Sequence, residues 1–314
     1  MTPPNADAAL RVFLREALGE RSAKYRKTLR RCRRRLSEDS VHDLRVESRR
    51  LLATLDALDG LVSRRMVQSA ARAIKKWTGG LGLLRDLQVQ RGTVDELSPH
   101  LPALSELSRR LARRERRRTA ATTGKLDRHA GRALGRAVSD LRRALRKPTP
   151  ASAPAVASAG RPLVPALAAA GEAMAARFAA IDPERPATIH RARKELRRFR
   201  YLAEVFQPIV PAITQRYLDR LQRLQGDMGR IQDATVLNAT VDRYLSKHAK
   251  MPRLADHTRT VLERRRAALI DAFLRHPPAR SAGKETLITG DTTSVVPPDG
   301  GKRPQDRDPA DREN

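Results

Sequence analysis

Apolar residues recur along this chain at intervals of three and four, the spacing that places them on one face of an α-helix. Leu44, Leu51, Leu55 and Leu58 make one such stripe, and Ala192, Leu196, Phe199, Ala203 and Phe206 make another. The Val, Ile, Thr and aromatic runs that would predict strands are nearly absent. The stripes predict helices over about 8–36, 40–61, 64–90 and 100–146, and again over about 163–181, 186–206, 211–246 and 254–274. Ser37 and Ser40 are candidate N-caps ahead of the second helix. Asp182-Pro183, and Pro208 with Pro211, break the later ones. Gly79, Gly80 and Gly82 mark a kink or a close helix contact in the third. Residues 147–162, KPTPASAPAVASAGRP, are rich in Pro, Ala and Ser and read as a linker. Beyond about Phe273 the chain is dense in Pro, Gly, Asp and Thr, and 276–314 reads as a disordered tail.

The predicted helices fall into two sets because the sequence repeats itself. VHDLRVESRR starts at Val41 and IHRARKELRR at Ile189, an offset of 148; GLLRDLQV starts at Gly82 and GRIQDATV at Gly229, an offset of 147. ERRR at Glu115 returns at Glu263, again after 148 residues. Three matches in one order at nearly one offset indicate a duplicated unit. The expected fold is all-α, two pseudo-symmetric four-helix bundles within residues 8–275, with repeat one over 8–146 and repeat two over 163–275.

Composition adds a charge problem to this picture. The 314 residues hold 64 Lys and Arg against 35 Asp and Glu, a net charge of +29, and only 3% are aromatic. Residues 277–314 carry six basic and seven acidic side chains, so the helical body carries the whole excess. A compact body that positive repels itself and is matched to a polyanion. The lone cysteine, Cys32, reads as a packing residue, since no His or acid beside it would activate a thiol. The N-terminus lacks a secretory pattern and no apolar run approaches a membrane span. A reducing, cytoplasmic setting with no membrane partner is expected.

The charge is patterned. At about 100° per residue, His190, Arg193, Arg197 and Arg200 share an arc of roughly 80°, centred about 120–140° from the apolar face. His42, Arg45 and Arg49 make the same stripe in the first unit, where Leu52 stands at the position of Arg200. Arg50 and Arg198 project to another side. Arginine's planar fork suits phosphate oxygens, and a histidine donates a hydrogen bond when neutral and adds charge when bound phosphate raises its pKa. Taken singly, each arginine is explained by a solvated helix face, and each histidine by a role near its helix start. His followed by Arg at i+3 and i+7, twice, weighs toward a site. Arg216, Arg220 and Arg223 at i, i+4 and i+7 make a further stripe, with Lys75 and Lys76 in the comparable stretch of the first unit; Lys76 is taken as a ligand with that stripe. The helix from Lys24 to Arg35 is basic on several faces, and Arg116–Arg118 and Arg264–Arg266 line the same surface or face solvent. Gly82 to Asp86 and Gly229 to Asp233 read as close helix crossings whose Asp holds the basic stripe. One Asp per unit is poor metal coordination. No metal site and no cofactor are expected.

These paired motifs resemble the CHAD family, the conserved-histidine α-helical domain. VHDLRVESRR and IHRARKELRRFRY look like its His-x-x-Arg…Arg-Arg signature, and GLLRDLQV and LQGDMGRIQDATV like its Leu-Gly-x-(Arg/Gln)-Asp element, over about residues 8–275. The resemblance implies two pseudo-symmetric four-helix bundles around a basic central cavity that binds inorganic polyphosphate, with some members associated with polyphosphate granules. By position, His42, Arg45, Arg49, His190, Arg193, Arg197 and Arg200 would line it. Leu52, and Gln232 where the first unit has Arg85, depart from the pattern and imply a weaker first half-site. No Glu-x-Glu-x-Lys element of the triphosphate-tunnel domains fused to many members occurs here.

The expected function is therefore non-catalytic polyphosphate binding. Nucleic-acid binding is the alternative, which charge alone supports but which lacks stacking aromatics. An enzyme is disfavoured because acid clusters for metal-assisted hydrolysis are missing, and because Arg128-His129 and Arg275-His276 lack the Gly-Glu of a histidine phosphatase.

Overall fold

A computed structural model describes residues 5–125, 130–146, 164–248 and 251–275. The linker over 147–162, the tail over 276–314, and Arg128, His129 and His276 lie outside the described residues. Within them the chain forms α1 (Asn5–Arg34), α2 (Glu38–Asp56), α3 (Arg64–Leu97), a 3₁₀ turn (Pro102–Leu104), α4 (Ser105–Lys125), α5 (Ala130–Ala144), α6 (Pro165–Ala179), α7 (Pro186–Phe206), α8 (Gln215–His248) and α9 (Pro252–Arg275), with no strand. The all-α expectation holds. The helix expected over 100–146 is divided into α4 and α5, and α3 runs on to Leu97.

Local chemistry fixes where α2 starts. Ser37 is its N-cap, accepting from the Ser40 N–H at 3.2 Å, while Ser40 Oγ accepts from the Ser37 N–H at 2.9 Å. Both candidate serines are thus used, as the two halves of one capping box. The helix stops at Asp56, and Gly60, at φ +80°, lets the chain turn toward α3.

Packing follows chain order within each repeat. In the first, α1 lies on α2, α2 on α3, α3 on α4, and α5 against α3 and α1; in the second, α6 lies on α7, α7 on α8 and α8 on α9. The repeats meet chiefly where α2 packs on α7, with a lighter contact of α3 on α8. Arg50 Nε of α2 donates to Glu204 of α7 at 3.0 Å, and Arg198 Nε of α7 donates to Asp56 of α2 at 3.0 Å. Arg50 and Arg198 are 148 residues apart, and so are Asp56 and Glu204. Each repeat therefore offers the other an arginine and an acid from equivalent positions, the exchange that a two-fold relation produces.

The apolar core does not divide repeat by repeat. One cluster joins Leu44, Leu55, Leu81 and Leu84 to Leu196, Phe206, Leu221 and Ile231, and the Phe13 ring lies 6.5 Å from that of Phe206. A second joins Val94, Leu104, Leu107 and Leu111 to Leu237, Val241, Leu245 and Leu262. The 34-residue helices α3 and α8, each about 51 Å long at 1.5 Å per residue, run through both. Each leaves the first core at Leu84 or Ile231 and enters the second at Leu87 or Leu237. Asp86 and Asp233 sit at those passages. Cys32 is fully buried and burial pushes its thiol pKa up, the opposite of activation.

Candidate functional site

The central feature is built from four helices and begins with two glycines. Gly82 on α3 and Gly229 on α8 occupy equivalent places, and each leaves room for an arginine from the preceding helix of its own repeat. A methyl group added at Gly82 would stand 3.0 Å from Nη1 of Arg45, and one at Gly229 would stand 3.4 Å from Nη2 of Arg193. The expected close helix crossings are in fact seats for guanidiniums. One turn further along each helix, Asp86 and Asp233 supply negative charge: Asp86 acts on both Arg45 and Arg193, and Asp233 on Arg193.

Around these seats four guanidiniums crowd together. Arg45 feels Arg49 and Arg193, and Arg197 feels Arg49, Arg193 and Arg45. Burial and this mutual repulsion hold Arg45 and Arg193 below the usual arginine pKa, and burial, then Arg49 and Arg193, pull Arg197 down to about 10. All remain cations at neutral pH. The Nε of Arg193 is buried and has no hydrogen-bond partner among the described residues. Asp233 still touches solvent, yet the surrounding protein strips enough water from it to raise its pKa, against the pull of Arg193 and with the push of Asp86. Desolvation has cost the site on both signs of charge, with four cations against two carboxylates.

The two histidines sit at the exposed rim and differ. His190 Nδ1 donates to Gln232 Oε1 at 2.7 Å, which leaves Nε2 an acceptor in the neutral ring and a donor to an anion only in the imidazolium. His42 has Arg85 nearby instead, and Arg85 is itself paired with Glu38. Burial, then Arg85, Arg49 and Arg45, lower the His42 pKa, with Asp39 opposing. The Gln232 and Arg85 difference thus sets the two imidazoles apart.

Several sequence-derived candidates are not brought to this face. Arg200 is 6% exposed, bound to Glu204 Oε1 at 2.5 Å and Gln225 Oε1 at 3.1 Å, with its guanidinium 4.3 Å from the Tyr201 ring centre. The anion it meets is internal, so the second stripe is no longer than the first and each repeat contributes two guanidiniums. Arg216, Arg220 and Arg223 lie about 120–180° around α8 from Gly229, and Lys76 about 120° around α3 from Gly82, at 100° per residue. Lys75, within about 20° of Gly82 by the same count, shares the site face. Arg50 and Arg198 serve the inter-repeat ion pairs.

Two arginines of the duplicated ERRR motifs, which spacing alone does not place, take defined positions. Arg266 stands four residues after Leu262 of the second core and four before Ile270 of the first, so it projects inward where the cores part. Arg118 is its equivalent on α4, and both Nε atoms are buried without a hydrogen-bond partner. Groups of three or more His, Cys, Asp or Glu able to hold a metal ion are absent among the described residues, as is any helix long and apolar enough to cross a membrane.

Known proteins place this architecture. No curated protein matches the sequence. The crystal structure of the CHAD domain from the plant Ricinus communis is similar over 87% of this chain and 94% of its own, with a TM-score of 0.62 at 20% identity. PptA from Streptomyces chartreusis is similar over 87% of this chain and 97% of its own, with a TM-score of 0.58 at 18% identity. At such identities the likeness is one of fold. The model of the CHAD domain matches residues 16–242, a span that holds both histidine-led helices and both glycine seats. The chain belongs to the CHAD family.

Proposed function

We propose that this protein binds inorganic polyphosphate, without cleaving it, at the four-arginine site between its repeats. The observation that carries the reading is the convergence of Arg45, Arg49, Arg193 and Arg197 around only two carboxylates, with the Nε of Arg193 left unbonded. A site that crowds half-buried cations at a cost in the free state is complementary to a ligand that brings negative charge at short, regular spacing. Phosphate oxygens accept the paired N–H groups of guanidinium, and a chain of phosphates can engage both arginine pairs at once. His190, its Nδ1 held by Gln232, can donate from Nε2 to a phosphate oxygen as the imidazolium. Recognition needs no aromatic platform, and two of the aromatic pairs, Phe13 with Phe206 and Phe199 with Tyr217, are committed to packing. We place the protein in the cytoplasm, on polyphosphate granules where these form.

The test is competition. Labelled long-chain polyphosphate bound to the full chain is challenged with unlabelled polyphosphate and with duplex DNA at equal phosphate concentration. Displacement by polyphosphate and not by DNA is expected, with affinity falling steeply as salt rises. Equal displacement by DNA would sink the reading. Phosphate release, measured with and without magnesium, is expected to stay at background; turnover abolished by His190→Ala would replace binding with catalysis.

A further inference from the structure

Outside the central site, α1 and α2 enclose a groove of about 660 Å³ lined by Lys24, Lys27, Arg30, Arg31, Arg34 and Arg50. Two acids share it. Asp43 pairs with Arg31 and Glu47 with Arg50. Lys24, Lys27, Arg30 and Arg34 are exposed and meet no acidic partner among the described residues.

The fold does not require this charge. In repeat two the buried positions Ser22, Tyr25 and Leu29 are matched by Gly171, Met174 and Phe178, 149 residues on, and in that register Lys24, Lys27, Arg30 and Arg34 give way to Ala173, Ala176, Ala179 and Pro183. The duplicated helix α6 packs on α7 without a single base there, so the groove is an addition to one copy. It is also adjacent to the central site. On α2 the residues facing the site are His42, Arg45 and Arg49, and the residue after each, Asp43, Val46 and Arg50, faces the groove. Successive residues are about 100° apart on a helix about 10 Å across, so the two lie on neighbouring flanks of one helix.

We propose that this groove is a second subsite for the phosphate chain, occupied by the part of a long polyphosphate that leaves the central site over α2, and that it makes the protein selective for long chains. The proposal rests on the polyphosphate reading above. Its free cations are spread along some three turns of helix, which suits a repeating polyanion better than a single phosphate. The absence of aromatic side chains among the groove's lining residues offers nothing for bases to stack on.

Binding of tripolyphosphate and of long-chain polyphosphate is measured on the full chain and on the variant Lys24→Gln, Lys27→Gln, Arg30→Gln, Arg34→Gln. The variant is expected to keep its tripolyphosphate affinity and to lose long-chain affinity by tenfold or more. Its log–log salt dependence for the long chain should be shallower by about three, from about 0.7–0.9 per phosphate contact removed. The half-variants, Lys24→Gln with Lys27→Gln and Arg30→Gln with Arg34→Gln, should each show part of that change, and Arg30→Lys with Arg34→Lys should show none. Long-chain affinity that is unchanged, or that falls together with tripolyphosphate affinity in a variant of unaltered melting temperature, would overturn the groove assignment. So would loss of duplex-DNA binding alone. Wild-type protein that binds neither phosphate chain would overturn the polyphosphate reading itself, which distinguishes the two failures.

Discussion

A guanidinium keeps its proton at any pH a cell reaches, so Arg197 cannot escape its surroundings by neutralising itself as a buried lysine would. Burial first, then Arg49 and Arg193, pull its pKa down to about 10, so the protein holds this cation at a cost when no anion is bound. Arg197→Gln is therefore expected to raise the melting temperature of the free protein while weakening polyphosphate by at least tenfold, the scale of a charged hydrogen bond at about 1.5–3 kcal/mol. Thermal melts with and without ligand read both effects, and a variant that melts lower and binds as before would contradict that cost. Gly82→Ala separates the seat from the helix. Alanine is favoured over glycine inside a helix by about 1 kcal/mol, and the methyl would meet only the mobile end of Arg45 at 3.0 Å. Unchanged or improved stability with weakened binding is expected, and a smaller loss for Gly229→Ala, where the gap is 3.4 Å. His42 adds a pH term. Its pKa is lowered in the free state by burial and by Arg85, Arg49 and Arg45, and an arriving anion raises it, so binding takes up a proton. Affinity should fall as pH rises through the ordinary histidine range near 6.5, and His42→Gln should flatten the profile. Without ligand the same shift runs the other way: the unfolded chain binds the proton more readily, so the free protein gains stability as pH rises through that window. A titration of affinity against pH that is flat in the wild type would remove His42 from the site.

At the scale of helices, the seam between α2 and α7 shows what duplication preserves and what it lets drift. Glu204 and Asp56 are equivalent, but Glu204 has a 12% exposed side chain and answers both Arg50 and Arg200, whereas Asp56 is 46% exposed and answers Arg198 alone. Removing the acid from a buried pair costs about 3–5 kcal/mol, while an exposed pair is worth about 0.2–1 kcal/mol. Glu204→Gln should thus lower the melting temperature by roughly 10 °C and Asp56→Asn by no more than about 4 °C, taking about 2–4 °C per kcal/mol. Equal shifts would refute the difference in burial. This seam also marks how far the sequence could be read. The helices, the repeat and the His-Arg stripes were legible because a 3.6-residue period and a Ser-x-x-Ser cap are local signals. The stripe points Arg200 at the cavity although Glu204 stands one turn away, and that i, i+4 acid is the available sign that its charge is already answered. Arg216, Arg220, Arg223 and Lys76 form a stripe by spacing, but spacing alone does not say which way a stripe points. Gly82 and Gly229 do, once each is seen to face an arginine. The sharing of both cores between repeats depends on contacts between residues far apart in sequence, and no local pattern encodes it.

Across the whole molecule, the net charge of +29 and the four-arginine site make one electrostatic system at two ranges. The charges that repel one another in the free protein are the ones that attract a polyanion, so salt acts on stability and on binding in opposite directions. The screening length shrinks from about 30 Å at 0.01 M salt to about 8 Å at 0.15 M, and across that interval the long-range part of the self-repulsion is lost. The melting temperature of the free protein should rise with sodium chloride over this range. Polyphosphate affinity should fall over the same range as counterion release loses its advantage. The increment in melting temperature from a fixed polyphosphate concentration, which follows the ratio of ligand to Kd, should accordingly be largest at low salt and shrink as the free protein gains stability on its own. Two series of thermal melts, with and without polyphosphate, are enough to see the curves converge. A free protein whose stability is indifferent to salt would mean that its internal ion pairs already balance the excess, and that the positive body is not held in readiness for an anion.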